Sequence, residues 1–442
     1  MNTKSLEGNR TETSSFVQKI MAIRVGQLPL PLFLAVAAVV YFASAYNKLP
    51  ADMIGGLAIM MVMGMLLGEI GGRIPGFRAV GGAAMCALFI PSIMVYYNLI
   101  NPPALKAMTV FMKTSNFLYF YIACLVAGSI LGMQRQVLIQ GFLRMFIPLT
   151  VGTIVALAVG TLVGGTMGLG FHNTFFFVVI PILAGGFGEG ILPLSMAYAE
   201  IMGLPSESFL GKLFPAALLG NMVGIMCAGF FKQLAERRPQ LTGNGNLVKG
   251  GDDAEFLKAA KAEEKPVDLS LMGPGLLFAC SLFVFGHLAS VVIPIPGPII
   301  MIFSAALIKV LGVLPEKVER GAYLIYRFVA VNLTFAVLVG SGAVLTPWKE
   351  VVSAITPAYI LTCISAVVAM AASGFYIGRF INMYPVEAGM VTACHSGMGG
   401  TGDVAILTAG NRMMLMPFAQ ISTRLGGACT VIIAAILLRI WQ

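Results

Sequence analysis

Ala184-Gly185-Gly186-Phe187-Gly188-Glu189-Gly190, running on through Ile-Leu-Pro-Leu to Ser195, has a counterpart late in the chain. Gly397-Met398-Gly399-Gly400-Thr401-Gly402-Asp403 runs on through Val-Ala-Ile-Leu to Thr408. Both read Gly-Gly-x-Gly-acid, then apolar residues, then a hydroxyl residue. Both interrupt apolar stretches, at about 174–200 and about 384–410. Glycine takes turns other residues resist and lets a ligand approach the backbone. A helix broken there leaves free N–H groups and a positive dipole end, which suit a carboxylate; its free carbonyls suit a cation. Such backbone persists at membrane depth only where protein or water covers it. Close packing by small residues is the plainer reading of one Gly-rich run. The recurrence, with its paired acids, argues for a binding site.

The rest of the chain is bilayer material. Of 442 residues 58% are apolar and only 11% charged, with mean hydropathy +0.89. A soluble chain carries about 25% charged residues, so a soluble enzyme, a nucleic-acid binder and a disordered scaffold are excluded. The net charge of +9 needs no nucleic acid, since cytoplasmic loops of membrane proteins are rich in Lys and Arg. Eleven spans are expected: 28–46, 53–68, 80–100, 117–133, 144–168, 209–231, 272–294, 297–314, 322–345, 356–378 and 414–438. The fold class is an all-α polytopic membrane protein with two further re-entrant hairpins at the glycine motifs. Residues 1–27 form a polar segment unlike a cleaved signal peptide. Residues 232–268 read as a solvated linker with a short helix near Ala254–Glu264.

Charge sets the topology. With the N-terminus in the cytoplasm and each hairpin returning to its own side, 20 of the 28 Lys and Arg fall inside and 6 outside. Arg327 and Arg424 lie within spans. Full crossings at either hairpin would move the central linker or Lys309–Arg320 outside, against the positive-inside bias. The first hairpin then enters from outside and the second from inside. Residues 53–231 and 272–438 become inverted repeats, an architecture of secondary transporters, with 28–46 as an extra first span and the C-terminus outside.

A charge at membrane depth costs about 2.5–3.5 kcal/mol on insertion scales, so Arg424 needs a partner. Its planar guanidinium suits a substrate carboxylate; the alternative is an ion pair with Asp403 or Glu189. Glu189 and Asp403 ligate a cation, carry a proton or cap a half-helix. Arg327 is expected to snorkel to the interface. Asn332 and Thr334 read as helix–helix hydrogen bonds, His287 as a packed residue, and His395 as a neighbour of the site. The seven Cys, with no CxxC, read as small packing residues, and the three His have no metal-ligand spacing. Gly400-Thr401-Gly402-Asp403 also spells the GxGD of membrane aspartyl proteases. That chemistry needs two aspartates, and the other four (52, 252, 253, 268) lie outside the spans. A channel would show rings of like residues or a filter.

The segment from Gly399-Gly400-Thr401-Gly402-Asp403 through Asn411-Arg412-Met413 to Phe418-Ala419-Gln420-Ile421-Ser422-Thr423-Arg424-Leu425-Gly426-Gly427 resembles the bacterial 2-hydroxycarboxylate transporters. That family includes sodium–citrate and sodium–malate symporters and the citrate or malate exchangers of lactic acid bacteria. Leu28-Pro29-Leu30-Pro31, Asp52-Met53-Ile54-Gly55-Gly56 and the first hairpin with Pro193-Leu194-Ser195 agree. The resemblance implies inner-membrane homodimers, each protomer with a dimerising scaffold and a transport domain moving like an elevator. It implies that the substrate meets the hairpin tips (Gly186, Phe187, Gly188, Gly399, Gly400, Thr401) and Arg424. It implies that Na⁺ meets carbonyls and hydroxyls at Gly188, Ser396, Gly400, Thr401 and Thr423, to which the residue reading adds Asp403. Two departures matter. Sodium–citrate members carry an Arg where this chain has Met398, and an Asn where it has Phe187. One guanidinium fewer favours a dicarboxylate such as malate over citrate. The expectation is a secondary transporter, not an enzyme, with no cofactor beyond a coupling ion: Na⁺ first, H⁺ or product exchange as alternatives.

Overall fold

Some of the apolar runs begin where a cap or a proline starts them. The computed structural model describes residues 22–75, 77, 82–249, 267–293 and 295–441. Helix α1 (Leu30–Ala45) carries proline in its first turn, where the missing N–H costs nothing. Helix α2 (Met53–Arg73) starts at Asp52, whose carboxylate accepts from the N–H of Ile54 at 2.9 Å and of Gly55 at 3.0 Å. Then follow α3 (Gly82–Tyr96), α4 (Pro102–Thr109), α5 (Phe117–Leu131) and α6 (Arg135–Gly164). Helices α7 (Phe171–Ile182) and α8 (Leu192–Met202) flank the first glycine motif, and α9 (Glu207–Arg237) leads into the linker. The later half runs α10 (Met272–Ser290), α11 (Gly297–Leu311), α12 (Glu316–Asn332), α13 (Thr334–Gly340), α14 (Trp348–Ala354) and α15 (Pro357–Phe380). Helices α16 (Pro385–Ala393) and α17 (Gly400–Ala409) flank the second motif; α18 (Met416–Ile421) and α19 (Gly427–Trp441) follow, joined by a wide turn at Ser422–Gly426.

Among the described residues six helical segments are long and apolar enough to cross a membrane. Two broken pairs raise this to eight if each is one span: Pro102–Thr114 with Phe117–Leu131, and Glu316–Asn332 with Thr334–Leu345. The shorter apolar helices α1, α3 and α11 fall on three further expected spans. The continuous span expected over 322–345 is therefore two helices parted at Leu333. The helix over Pro102–Thr114 was hidden by Lys106 and Lys113, which make that stretch read as a loop, although Pro102 and Pro103 are good helix starters. Large apolar side chains such as Leu34, Val39 and Phe42 on α1 and Val284 and Leu288 on α10 are exposed, as helices facing hydrocarbon require. Among the described residues, the all-α expectation has one stranded exception beside an isolated bridge between Val248 and Met383. Arg24–Val25 and Leu28–Pro29 pair as a two-residue antiparallel ribbon, turned at Gly26, whose N–H donates to Glu69 Oε2 at 3.1 Å.

The chain divides into two compact units. The first comprises α1 to α4 with Phe335–Val344. Here α2 presents buried glycines to its neighbours. A Cβ at Gly64 would lie 2.8 Å from the Phe335 carbonyl carbon, and one at Gly56 would lie 2.7 Å from the Ala107 carbonyl oxygen. Backbones pack this closely only where side chains are absent.

The second unit holds the rest, including both hairpins and the last span. Its core lies between α6, α15 and the second hairpin, with Met370, Val391, Cys394, Ile406, Leu407 and Phe418 fully buried. The linker differs from expectation. Helix α9 continues to Arg237, and the following segment docks on the turn before α16. Tyr384 N donates to Leu247 O and Lys249 N to Asn382 O, both at 2.9 Å, and Leu247 is fully buried. Thr242–Lys249 is thus packed rather than solvated; the helix expected near Ala254–Glu264 lies outside the described residues.

Replacing Gly64 with Val drives a branched side chain into backbone that has no rotamer to escape to. Overpacking costs about 1–3 kcal/mol, so G64V should lower the melting temperature of the detergent-purified protein. G72A is the control, because a Cβ there meets nothing within 4 Å. Equal melting of both variants would remove the packing role of the α2 glycines.

Candidate functional site

Two broken helices meet at their tips within the second unit. In the first hairpin the second arm starts at Gly186 (φ 117°, ψ 178°); in the second it starts at Gly399 (φ 73°, ψ −157°). Both conformations are essentially restricted to glycine. A Cβ on Gly186 would lie 2.8 Å from Gly399 Cα and 2.9 Å from the Met398 carbonyl carbon, so the tips touch backbone to backbone. A Cβ on Gly185 would run into the Thr423 carbonyl oxygen, and one on Gly427 would lie 2.7 Å from Gly185 Cα. The two motifs and the wide turn of the last span therefore converge. The structural register is one residue off the sequence match, because the first arm restarts through a wide five-residue turn, Phe187–Ile191. Glu189 and Asp403 still both fall in the first turn after their break.

Arg424 lies in the turn Ser422–Gly426 and is engaged on three sides. Its Nη2 donates to Tyr326 Oη at 2.8 Å and its Nη1 to Ser129 O at 3.2 Å. Its guanidinium carbon sits 5.1 Å from the centre of the Tyr326 ring. The Glu189 carboxylate is close to Nε, at 3.7 Å. That is an ion pair without a hydrogen bond, and Glu189 Oε2 is buried with no donor. The ion-pair alternative for Arg424 is thus present, in a loose form.

Asp403 is fully buried. Thr423 Oγ1 donates to its Oδ2 at 2.8 Å, while its Oδ1 has no partner. The same hydroxyl lies 2.9 Å from Ala419 O. Its one proton serves only one of these two acceptors. No backbone N–H among the described residues donates to the Asp403 carboxylate, which lies in the first turn of its half-helix. Ser396 is buried, with Oγ donating to Ala393 O at 2.7 Å. Gly188 is half-buried beside Tyr121, and Gly400 is exposed. The Phe187 ring is buried edge-on against Phe214, 5.3 Å between centres, so its side chain points into α9. The Thr401 side chain is outside the described residues.

His395 holds the second hairpin to the last span, through Nδ1 with Ser422 O at 2.8 Å and Nε2 with Thr430 Oγ1 at 3.3 Å. Thr334 Oγ1 meets Tyr121 Oη at 2.7 Å, a bond between helices as expected, whereas Asn332 bonds within its own helix to Phe328 O at 2.9 Å. Arg327 is exposed and reaches out from α12. Two expectations fail. His287 is exposed rather than buried, although its ring lies edge-on to Phe283 at 4.7 Å and its Nδ1 sits against Gly297, where a Cβ would be 2.9 Å away. Cys429 is exposed, unlike the buried Cys86, Cys124, Cys363 and Cys394; the lipid-facing side of a span admits a small apolar group as readily as the core does.

Several residues here were not singled out from sequence. Asn221 Oδ1 accepts from Met398 N at 3.1 Å, so α9 braces the second tip. A lone amide inside an apolar run was the available signal. Tyr326 and Ser129 gave none. Glu387, fully buried, accepts from Thr242 Oγ1 at 2.5 Å, Gly243 N at 3.0 Å, Gly245 N at 3.2 Å and Arg412 Nε at 3.1 Å. Arg412 Nη2 also donates to Thr242 Oγ1 at 3.1 Å and Asn244 Oδ1 at 3.2 Å. This pair clamps both arms of the second hairpin and the docked linker together at the base.

The chain matches the profile of the 2-hydroxycarboxylate transporter family over residues 25–436. It is 53% identical to the Na(+)-malate symporter of Bacillus subtilis (strain 168), over 99% of this chain and 97% of that one. It is 40% identical to the citrate/malate-proton symporter of the same organism, over 98% and 96% of the two chains. It is 28% identical to the citrate/sodium symporter of Salmonella typhimurium, over 97% and 98%. The protein is a multi-pass membrane transporter and not an enzyme, which closes the GxGD protease alternative. It belongs to the 2-hydroxycarboxylate transporter family.

Removing one partner of a buried ion pair costs about 3–5 kcal/mol. Arg412→Gln strands the Glu387 carboxylate, so it should lower the melting temperature and speed tryptic cleavage after Lys249. Unchanged melting and cleavage would leave the clamp without energetic weight.

Proposed function

We propose that the protein imports small 2-hydroxy-di- or tricarboxylates, malate ahead of citrate, by Na⁺ symport across the inner membrane. The observation that carries this reading is the buried Asp403 carboxylate at the meeting of the hairpin tips, with one oxygen unpartnered. A buried anionic oxygen without a donor is costly, and a bound cation would relieve it. The Thr423 hydroxyl, Ser396, and the free carbonyls of the broken helices supply neutral oxygens of the kind Na⁺ takes. Among known relatives, the sodium-coupled malate carrier shares more identity with this chain than the proton-coupled carrier does. Proton symport is the second reading, since the same oxygen would accept a proton, and exchange of the acids is a third.

The substrate side rests on Arg424. Its Glu189 contact lacks a hydrogen bond, so a substrate carboxylate able to take two hydrogen bonds from the guanidinium would compete well for it. The backbone N–H groups at Gly186–Gly188 and Gly399–Thr401 would face the second carboxylate. With Met398 in place of a second arginine, a third carboxylate has no fixed cation. The wider reading keeps eleven spans in an inverted repeat, cytoplasmic N-terminus, external C-terminus, a homodimer and an elevator-type movement.

Uptake of malate and citrate into proteoliposomes, under an inward Na⁺ gradient, a pH gradient or neither, tests the coupling. Malate uptake should require Na⁺, and Asp403→Asn should lose that Na⁺ dependence. Uptake driven by the pH gradient alone would transfer Asp403 to proton coupling, and an unaltered Na⁺ response in the Asn variant would take Asp403 out of the cation site. Arg424→Lys keeps the charge but loses the planar fork. Its half-saturation for malate should rise at least tenfold, about 1.4 kcal/mol; an unchanged value would retire the clamp.

A further inference from the structure

A groove of about 680 Å³ runs between α9 and α15 in the second unit, apart from the hairpin tips. Its walls are apolar, from Met226, Phe230, Ile364, Val368 and Tyr376, and these side chains are exposed. Its floor is Phe231, Ala371 and Phe375, which belong to a small separate core with Val386 and Met390 of α16. At one end stand two arginines, Arg238 and Arg379. Both are exposed, and neither has a carboxylate partner among the described residues. The Arg379 guanidinium lies 4.8 Å from the Phe375 ring centre and 5.6 Å from that of Tyr376, which holds the cation at the mouth.

An apolar trough with paired cations at one end matches a molecule with a hydrocarbon tail and an anionic head. A protein partner would leave one of those ends unmatched, whereas basic pockets between spans bind anionic lipid headgroups. We propose that this groove is a seat for an anionic phospholipid, its acyl chain along α9 and α15 and its phosphate between Arg238 and Arg379. The bound chain would press on the core that carries the first arm of the second hairpin.

The test is native mass spectrometry of the detergent-purified protein titrated with phosphatidylglycerol or phosphatidylcholine. Phosphatidylglycerol should remain bound and phosphatidylcholine should not. The R238Q/R379Q double variant should lose phosphatidylglycerol adducts at least fivefold, and A372F, which fills the trough and leaves both arginines, should lose them too. R439Q, an exposed arginine on α19, is the control and should retain them. Equal retention by R238Q/R379Q and the unsubstituted protein overturns the proposal, as does equal retention of the two lipids. Adducts unaltered in A372F, with a shift in oligomeric state, would make the groove a protein interface and overturn it likewise. Both arginines are exposed, so folding of the double variant is not at risk, and its melting in lipid-free detergent checks this.

Discussion

Breaking a helix in surroundings that offer no water exposes backbone groups that something else must cover. The two hairpins each break a helix and cover the break largely with the other. Gly186 and Gly399 adopt conformations essentially closed to other residues, and their backbones lie against each other. The remaining faces are taken by the turn Ser422–Gly426 and by Asn221, whose amide accepts from Met398 N–H. The wide turn in the last span follows from the same demand. It brings the Thr423 carbonyl up to Gly185 and directs Arg424 toward the first motif.

The two kinds of buried charge in this unit are handled differently, and the contrast separates support from working site. At the base of the second hairpin, Glu387 collects four hydrogen-bond donors and Arg412 finds three acceptors besides it. Nothing there is left to bind. At the tips, Glu189 and Asp403 each keep a buried oxygen without a donor, and Arg424 makes its hydrogen bonds to neutral oxygens. A fully satisfied network fixes geometry, whereas a partly satisfied one is costly to maintain without a role. A firm base beneath unsatisfied tips suits a site that takes up and releases a charged cargo.

Composition, span positions and the glycine motifs were legible in the chain because each is a local property. Twenty apolar residues commit to a helix or a core, and paired glycines lower the cost of a break at their own position. Hence the pairs α7 with α8 and α16 with α17 bracket the breaks where the motifs put them. Local reading failed where charge and structure part company. Lys106 and Lys113 disguise a helix, and the polar linker residues Thr242–Lys249 are packed because a buried Glu387 requires their N–H groups and hydroxyl.

The sequence by itself determined that this is an all-α membrane transporter of the 2-hydroxycarboxylate family, with two glycine-broken hairpins and one arginine inside its last span. Hydropathy and backbone freedom are carried residue by residue, so no contact map is needed to read them. Only the tertiary structure decided the company each charge keeps: Glu189 beside Arg424, Thr423 on Asp403, Asn221 on the second tip, Arg412 on Glu387. Those partners are 20 to 235 residues apart in the chain; their pairing is set by packing in three dimensions, and linear spacing carries no record of it.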